Sequence, residues 1–321
     1  MSRYNFTFNN YWFLAIKFIV KNLFSFFVYI LGGVYLLKLT FYQKNVLYVL
    51  NYHNFSKYNN YRIQRGKINE TGYINQFEKQ IKFLKKHFNF CYPDDFFTNQ
   101  LSKKINILIT FDDGYKDNYD LAFPILKRNN VKAIFFIATN YIGTKKWLWH
   151  DIVRYLVSLN KLEYTEAEFI LKKMNQGFEV PKSFKEKVKK IMVEDPPERL
   201  MMNWKEVLEL LKGGFIIGAH TSNHIILSFL EKSHQELEIN NSIQAIKTRL
   251  GVNCLSFAYP NGIYNEVTLK LLKKYGINYA FTTNKGFNKN DQEKLKIKRI
   301  GINVSDSVYL VLLKLFISQF H

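Results

Sequence analysis

The run Ile105-Asn106-Ile107-Leu108-Ile109-Thr110-Phe111-Asp112-Asp113-Gly114-Tyr115 changes character at Asp112. Its first seven residues are rich in Ile, Leu and Phe, which suits an apolar strand. Two adjacent carboxylates at the C-terminal end of such a strand project in different directions. One can bind a cation while the other reaches a water, and Gly114 permits the tight turn such a site needs. Taken alone, Asp-Asp-Gly also reads as a plain surface turn, because Asp and Gly are common turn formers.

Outward from this strand, β-branched and apolar runs alternate with amphipathic stretches, the pattern of parallel strands joined by helical crossovers. Strands are expected at 46–52, 105–111, 132–138, 215–219, 255–259, 279–283 and 297–302. Helices are expected around 76–87, 121–129, 203–211, 231–250, 266–275 and 305–320. Gly213-Gly214, Gly251 and Gly276 stand where helices stop. The fold class this predicts is α/β, a distorted and nearly closed (β/α) barrel of about seven strands. Residues 143–200 break the rhythm with a Lys/Glu-rich helical insertion ending at Asp195-Pro196-Pro197. It reads as an addition to the barrel rim, and Trp147, Trp149 and Asp151 within it suit either the cleft or core packing.

The chain has 321 residues, 47% hydrophobic and 22% charged, a composition that excludes disorder and suits one catalytic domain, 45–321, behind an extension, 1–44. The formal charge of +20 would attract nucleic acid, an anionic membrane or an acidic substrate. The basic residues are spread out and no nucleic-acid-binding signature is present, so nucleic acid is not expected as a partner. Cys91 and Cys254 are too few and too isolated for a disulfide framework or a thiolate metal site. The oligomeric state is left open.

From Tyr11 to Leu37 the chain is apolar apart from Lys17, Lys21 and Asn22, and Lys38 closes the run. The uncharged part, 23–37, is short for a bilayer span of about 20 residues. Lys17 and Lys21 fall on one helical face, with Trp12, Phe13, Phe18 and Phe24 available for the other, which suits a helix lying in a membrane interface. A helix packed on the domain is the plainer alternative. Membrane association through residues 11–38, lying on the bilayer or spanning it with the two lysines snorkelling, is the expectation. The basic residues after the segment (Lys38, Lys44, Lys57, Arg62, Arg65 and Lys67) favour a cytoplasmic catalytic domain, a bias that large domains override.

A second polar cluster, Gly218-Ala219-His220-Thr221-Ser222-Asn223-His224, also follows an apolar strand. If the chain turns helical after His220, the spacing of four puts both imidazoles on one face, where they can share a metal. A pair of polar loop histidines is the alternative. Asp113, His220 and His224 as ligands would leave coordination positions open, as catalytic rather than structural zinc requires. A cation there acidifies water and polarises an amide carbonyl. A third cluster, Phe257-Ala258-Tyr259-Pro260-Asn261-Gly262, reads as a turn and could present the Asn261 N–H to a developing oxyanion.

Taken in order, these clusters resemble the polysaccharide deacetylase family, the NodB-homology domain of carbohydrate esterase family four. Phe111-Asp112-Asp113-Gly114 resembles its first motif, His220-Thr221-Ser222-Asn223-His224 its H-(S/T)-x-x-H motif, and Tyr259-Pro260-Asn261-Gly262 its third. The likeness runs from about Val46 to Ile302, and Asn203–Gly214 resembles the helix that precedes the family's histidine motif. It implies Asp112 as general base on the attacking water, and Asp113, His220 and His224 as ligands of one divalent metal ion, expected to be zinc. Asn261 N–H would serve the oxyanion, and Tyr259, Pro260 and Gly262 would form the sugar-binding wall.

Two departures from the family pattern matter. Ala258 stands where the third motif often opens with an Arg that orients the base, and Arg299 on the last expected strand could supply that charge. The late Leu-x-His motif is not recognisable. Val49-Leu50-Asn51-Tyr52-His53 instead resembles the Tyr-His motif of permuted members, which makes His53 the candidate acid, with a structural loop histidine as its alternative. The function implied is N-deacetylation of an amino sugar in a surface polysaccharide or lipid-linked glycan precursor. The rivals are deformylation of a lipid-linked formamido sugar and a non-catalytic carbohydrate-binding protein on the same fold.

Overall fold

A computed structural model of the chain describes residues 19–41, 45–55, 70–98, 105–175, 181–191 and 199–320. The strands are β1 (Val46–Tyr52), β2 (Asn89–Phe90), β3 (Ile105–Phe111), β4 (Ala133–Ile137), β5 (Ile216–Ala219), β6 (Ser256–Ala258), β7 (Tyr279–Phe281), β8 (Asn288–Lys289) and β9 (Ile300–Gly301). Period-two alternation sends their side chains into two apolar layers. Val46, Tyr48, Leu50 and Tyr52 of β1 join the larger core with Ile107 and Ile109 of β3 and Phe135 and Ile137 of β4. Leu47, Val49, Leu108, Ile134 and Phe136, which point the other way, form a smaller core with Phe281 and Ile297. Both faces are covered, so β1, β3 and β4 are buried at every position and read as unbroken apolar runs.

The sheet runs β7-β6-β5-β4-β3-β1-β8, with β2 on β3 and β9 on β1. Every pairing is parallel except β1 with β8. The expected strand 297–302 forms as two short pieces: Ile297 pairs with Phe281 of β7, whereas Ile300 and Gly301 pair with Leu50 and Asn51 of β1. Changing partner in midcourse breaks the strand and ties the two sides of the sheet together. The result is the distorted, nearly closed barrel. The unexpected β2 and β8 have two residues each, too short to show a period.

The helices are α1 (Ile19–Ile30), α2 (Gly33–Thr40), α3 (Glu70–His87), α4 (Pro93–Phe97), α5 (Phe123–Arg128), α6 (Trp149–Ser158), α7 (Tyr164–Asn175), α8 (Lys182–Ile191), α9 (Trp204–Lys212), α10 (Lys232–Leu250), α11 (Glu266–Lys274) and α12 (Val308–Ile317). Side chains from α3, α5, α9, α10, α11 and α12 fill the larger core. Asn203 caps α9 in a reciprocal box, accepting from Glu206 N at 2.9 Å while Glu206 accepts from Asn203 N at 2.7 Å. Gly251 ends α10 at φ 72°, a left-handed stop that only glycine adopts without cost.

The insertion has a core of its own, in which Val153, Leu156, Leu162, Ala167, Ile170, Phe184 and Val188 join α6, α7 and α8. At the other end of the chain, α1 and α2 meet at a 69° bend. Their inner face buries Ser25, Leu37 and Phe41, packs Tyr29 against Tyr309 with ring centroids 5.0 Å apart and joins Ser307 to Asn22 through a 2.8 Å hydrogen bond. Among the described residues no single helix is long and apolar enough to cross a membrane. The readings made for Trp12, Phe13, Lys17, Phe18, Lys44, Lys57, Arg62, Arg65, Lys67 and Asp195-Pro196-Pro197 lie outside the described residues.

Candidate active site

Because the strands run parallel, the chain leaves β1, β3, β5 and β6 on the same rim of the barrel, the place where α/β sheets collect ligands. There a cavity of about 450 Å³ is lined by His53, Asp112, Asp113, Tyr115, His150, Arg154, His220, His224, Asn261 and Thr283, among others. Four non-glycine residues of this rim adopt left-handed backbone: Asp113 (φ 77°), Thr221 (φ 61°), His224 (φ 54°) and Asn261 (φ 56°). Such conformations cost free energy and persist where the surroundings enforce them, commonly at functional sites.

Asp112 is buried and fully engaged. Arg299 binds it with both arms, Nη1 to Oδ1 at 2.7 Å and Nη2 to Oδ2 at 2.8 Å, and Asn51 Nδ2 donates to Oδ2 at 3.0 Å. The guanidinium is itself fixed, donating from Nε to Thr282 O at 2.8 Å and from Nη1 to Asn51 Oδ1 at 3.0 Å. Burial pushes the Asp112 carboxyl up, but Arg299 and then His220 more than offset this and hold it below its usual range.

Asp113 Oδ1 lies 3.4 Å from His220 Nε2 and 3.0 Å from His224 Nε2. The ligand atoms of these three residues all fall within 4.8 Å of one another. His220 Nδ1 lies 2.7 Å from Ala258 O and must donate to it, which leaves the Nε2 lone pair facing the carboxylate. Asp113 Oδ1 is buried without a hydrogen-bond partner, the state of an oxygen shaped for a cation. The donor set therefore fits a divalent metal ion of the zinc type.

The imidazoles do not converge through a helical turn. Residues 220–226 form a loop in which Thr221 and His224 are left-handed, and this brings the two rings to 4.9 Å between centroids. Glu238 of α10 holds the loop, accepting from Ser222 N at 3.0 Å, Asn223 N at 2.9 Å and Asn223 Nδ2 at 2.6 Å. His53 is exposed and faces the same cavity; its carbonyl accepts from Asn118 Nδ2 at 2.7 Å.

The sugar-binding wall expected from Tyr259, Pro260 and Gly262 needs correction, since none of the three lines the cavity. Tyr259 is fully buried and its hydroxyl donates to Leu295 O at 2.9 Å. Pro260 is buried, and Gly262 (φ 74°) presses so closely on Thr283 that a Cβ would come within 2.1 Å of its Oγ1. These residues set the turn that leaves Asn261 exposed at the rim. Trp147 and Trp149 also face away from the cavity, into packing against Tyr155 and Phe184.

Sequence reasoning missed Asn51, Tyr115, His150, Arg154 and Glu238. Asn51 stands two residues before His53 near a strand's end, and that spacing was its signal. His150 is flanked by the noted Trp149 and Asp151. Burial pushes its pKa well below the usual histidine value, and burial likewise pushes Asp151 up to about 7. Glu238, in mid-helix, gave no local signal.

The fold is that of the NodB-like deacetylases, with carboxylates and imidazoles gathered at one rim of a mostly parallel barrel. The polysaccharide deacetylase family matches residues 99–280, more than half of the chain, and this protein is a member of it. Members hydrolyse amide C–N bonds. The poly-beta-1,6-N-acetyl-D-glucosamine N-deacetylase of Staphylococcus epidermidis is 26% identical over 284 residues, 85% of this chain and 84% of its own. YxkH of Bacillus subtilis, a polysaccharide deacetylase by name, is 25% identical over 197 residues; the match takes in 61% of this chain but only 51% of YxkH. Among solved structures, the Streptococcus pyogenes deacetylase PplD in complex with acetate superposes with a TM-score of 0.59 at 21% identity, over 84% of this chain and 98% of its own. IcaB from Ammonifex degensii superposes with a TM-score of 0.57 at 20% identity, over 86% and 98%.

Proposed function

We propose that the protein is a divalent-metal-dependent N-deacetylase of amino sugars in a surface polysaccharide or its lipid-linked precursor. The observation that carries this reading is the orphaned Asp113 oxygen between two imidazole nitrogens, with the ionised Asp112 beside it. The substrate class is supported by the Staphylococcus epidermidis relative, whose name specifies an N-acetylglucosamine polymer.

Asp113, His220 and His224 hold the ion, expected to be zinc, which supplies Lewis acidity when bound. Asp112 takes a proton from the attacking water, and Arg299 keeps that carboxylate ionised and aimed. The Asn261 N–H receives the oxyanion that develops on the acetyl carbonyl. As the C–N bond breaks, His53 delivers a proton to the leaving amine, so that acetate and a free amino sugar result.

Purified protein should release acetate from N-acetylglucosamine oligomers or a lipid-linked amino sugar, stop with chelator and recover with Zn²⁺. Asp112→Asn should cost about 10²–10⁴ in kcat. Undiminished turnover by that variant sinks the assigned base. Stoichiometric metal with no acyl release from either substrate sinks the substrate assignment.

The reading also places the protein on a membrane surface, cytoplasmic by the charge bias, with α1 and α2 in the interface. What supports this is an outer face of that hairpin made of Leu23, Phe24, Phe27, Ile30 and Leu31, all exposed, with Lys21 and Lys38 alongside.

A further inference from the structure

We propose that His150 is a positioning residue for Asp113, steadying the second oxygen of that carboxylate so that the first is presented to the ion. The inference rests on the metal-dependent reading above and assigns the insertion a part in the site. Helix α6 opens with Trp149, His150 and Asp151, and its first turn meets Tyr115, two residues beyond Asp113. Above about pH 7, where Asp151 is ionised, Tyr115 Oη donates its single proton to Asp151 Oδ2 at 2.9 Å. The same oxygen lies 2.8 Å from His150 Nε2, and with its proton already committed it can only accept. His150 is therefore the donor, and its Nε2 carries hydrogen.

That N–H edge lies 3.6 Å from Asp151 Oδ2 and 4.0 Å from Asp113 Oδ2, while Asp113 Oδ1 faces His220 and His224. The separation is too long for a hydrogen bond, but the positive edge of the imidazole confronts the oxygen that the other two histidines leave alone. The two oxygens of Asp113 thus face different imidazoles, Oδ1 those of His220 and His224 and Oδ2 that of His150. The backbone repeats the linkage: Met202 N donates to Gly114 O at 2.9 Å and Lys116 N to Leu200 O at 2.7 Å, so the C-terminal end of the insertion grips the Asp-Asp-Gly turn. His150 also packs beside His224, with ring centroids 5.5 Å apart. Partners that orient a ligating carboxylate are worth about 10–100-fold in metal affinity.

The test is the Zn²⁺ affinity of the full chain, measured by competition with a chromophoric chelator, for wild type, His150→Ala, His150→Gln and Tyr115→Phe. His150→Ala should bind about 10–100-fold more weakly. Glutamine, whose Nε2 sits near the lost ring nitrogen, should restore most of the affinity, a rescue that mere space-filling would not produce. Tyr115→Phe, which removes the acceptor that fixes the ring, should fall between them. A folded His150→Ala that binds within twofold of wild type overturns the proposal. Should that variant fail to fold, a Tyr115→Phe protein with wild-type affinity overturns it instead. Wild type that binds no divalent ion removes the metal reading altogether, whereas tight wild-type binding with unchanged variants removes only the role of His150.

Discussion

Asp151 is a carboxylate that burial, only partly countered by Arg154 and Tyr115, pushes up to about 7. In the unfolded chain it ionises near 3.8, so between the two values folding favours the protonated form and the folded state binds the extra proton. Its contribution to stability is complete below about pH 4 and is lost as pH rises through about 7. Asp151→Asn keeps the shape and an acceptor for Tyr115 without the charge. It should therefore melt higher than wild type at pH 8, by the equivalent of about 1–4 kcal/mol, and level with it at pH 4. A difference that does not change between those two pH values refutes the assignment. Arg299 poses the opposite problem, because Arg299→Gln leaves the Asp112 charge buried and unpaired. Urea unfolding of that variant should show a loss of about 3–5 kcal/mol, and adding Asp112→Asn should recover a large part of it.

The elements show why some of this could be read in advance and some could not. β1 and β3 form at their expected residues because both faces of each are covered, which makes the run of apolar residues continuous. The barrel class was legible, and Asp112, Asp113, His220, His224 and His53 stood out as polar residues following apolar strands, with Arg299 a charge within the last expected strand. The geometry between the histidines was not, since a spacing of four is shared by a helical turn and by a loop with two left-handed residues. Nor was Glu238, which meets the loop only after α10 has packed on the sheet. Its three donor partners make a specific expectation. Glu238→Ala should loosen the loop and weaken Zn²⁺ binding about tenfold while costing about 1–3 kcal/mol of stability. Chelator competition and urea titration of the same preparation measure the two effects, and an unchanged metal affinity would show that the loop holds its form without this residue.

At the scale of the whole molecule, the catalytic rim and the apolar hairpin share a short stretch of chain. Asn303, Val304 and Ser305 line the cavity, and α12, on which the hairpin packs, begins at Val308. The outer face of the hairpin keeps Phe27 58% and Leu31 75% exposed, a cost in water that nothing within the described chain removes. Each such side chain gains up to about 1.5–3 kcal/mol on leaving water, and each lysine near an anionic surface adds about 1 kcal/mol. The 69° bend and the buried inner face suit a hairpin lying in the interface better than one crossing the bilayer. Full-length protein should cosediment with vesicles containing phosphatidylglycerol, less with phosphatidylcholine alone, and high salt should release only the electrostatic part. The double variant Phe27→Glu with Leu31→Glu should lose vesicle binding at least tenfold yet deacetylate soluble oligomers at the wild-type rate, because neither residue touches the cavity. Equal recovery of variant and wild type on the vesicles would mean that the hairpin faces something other than lipid.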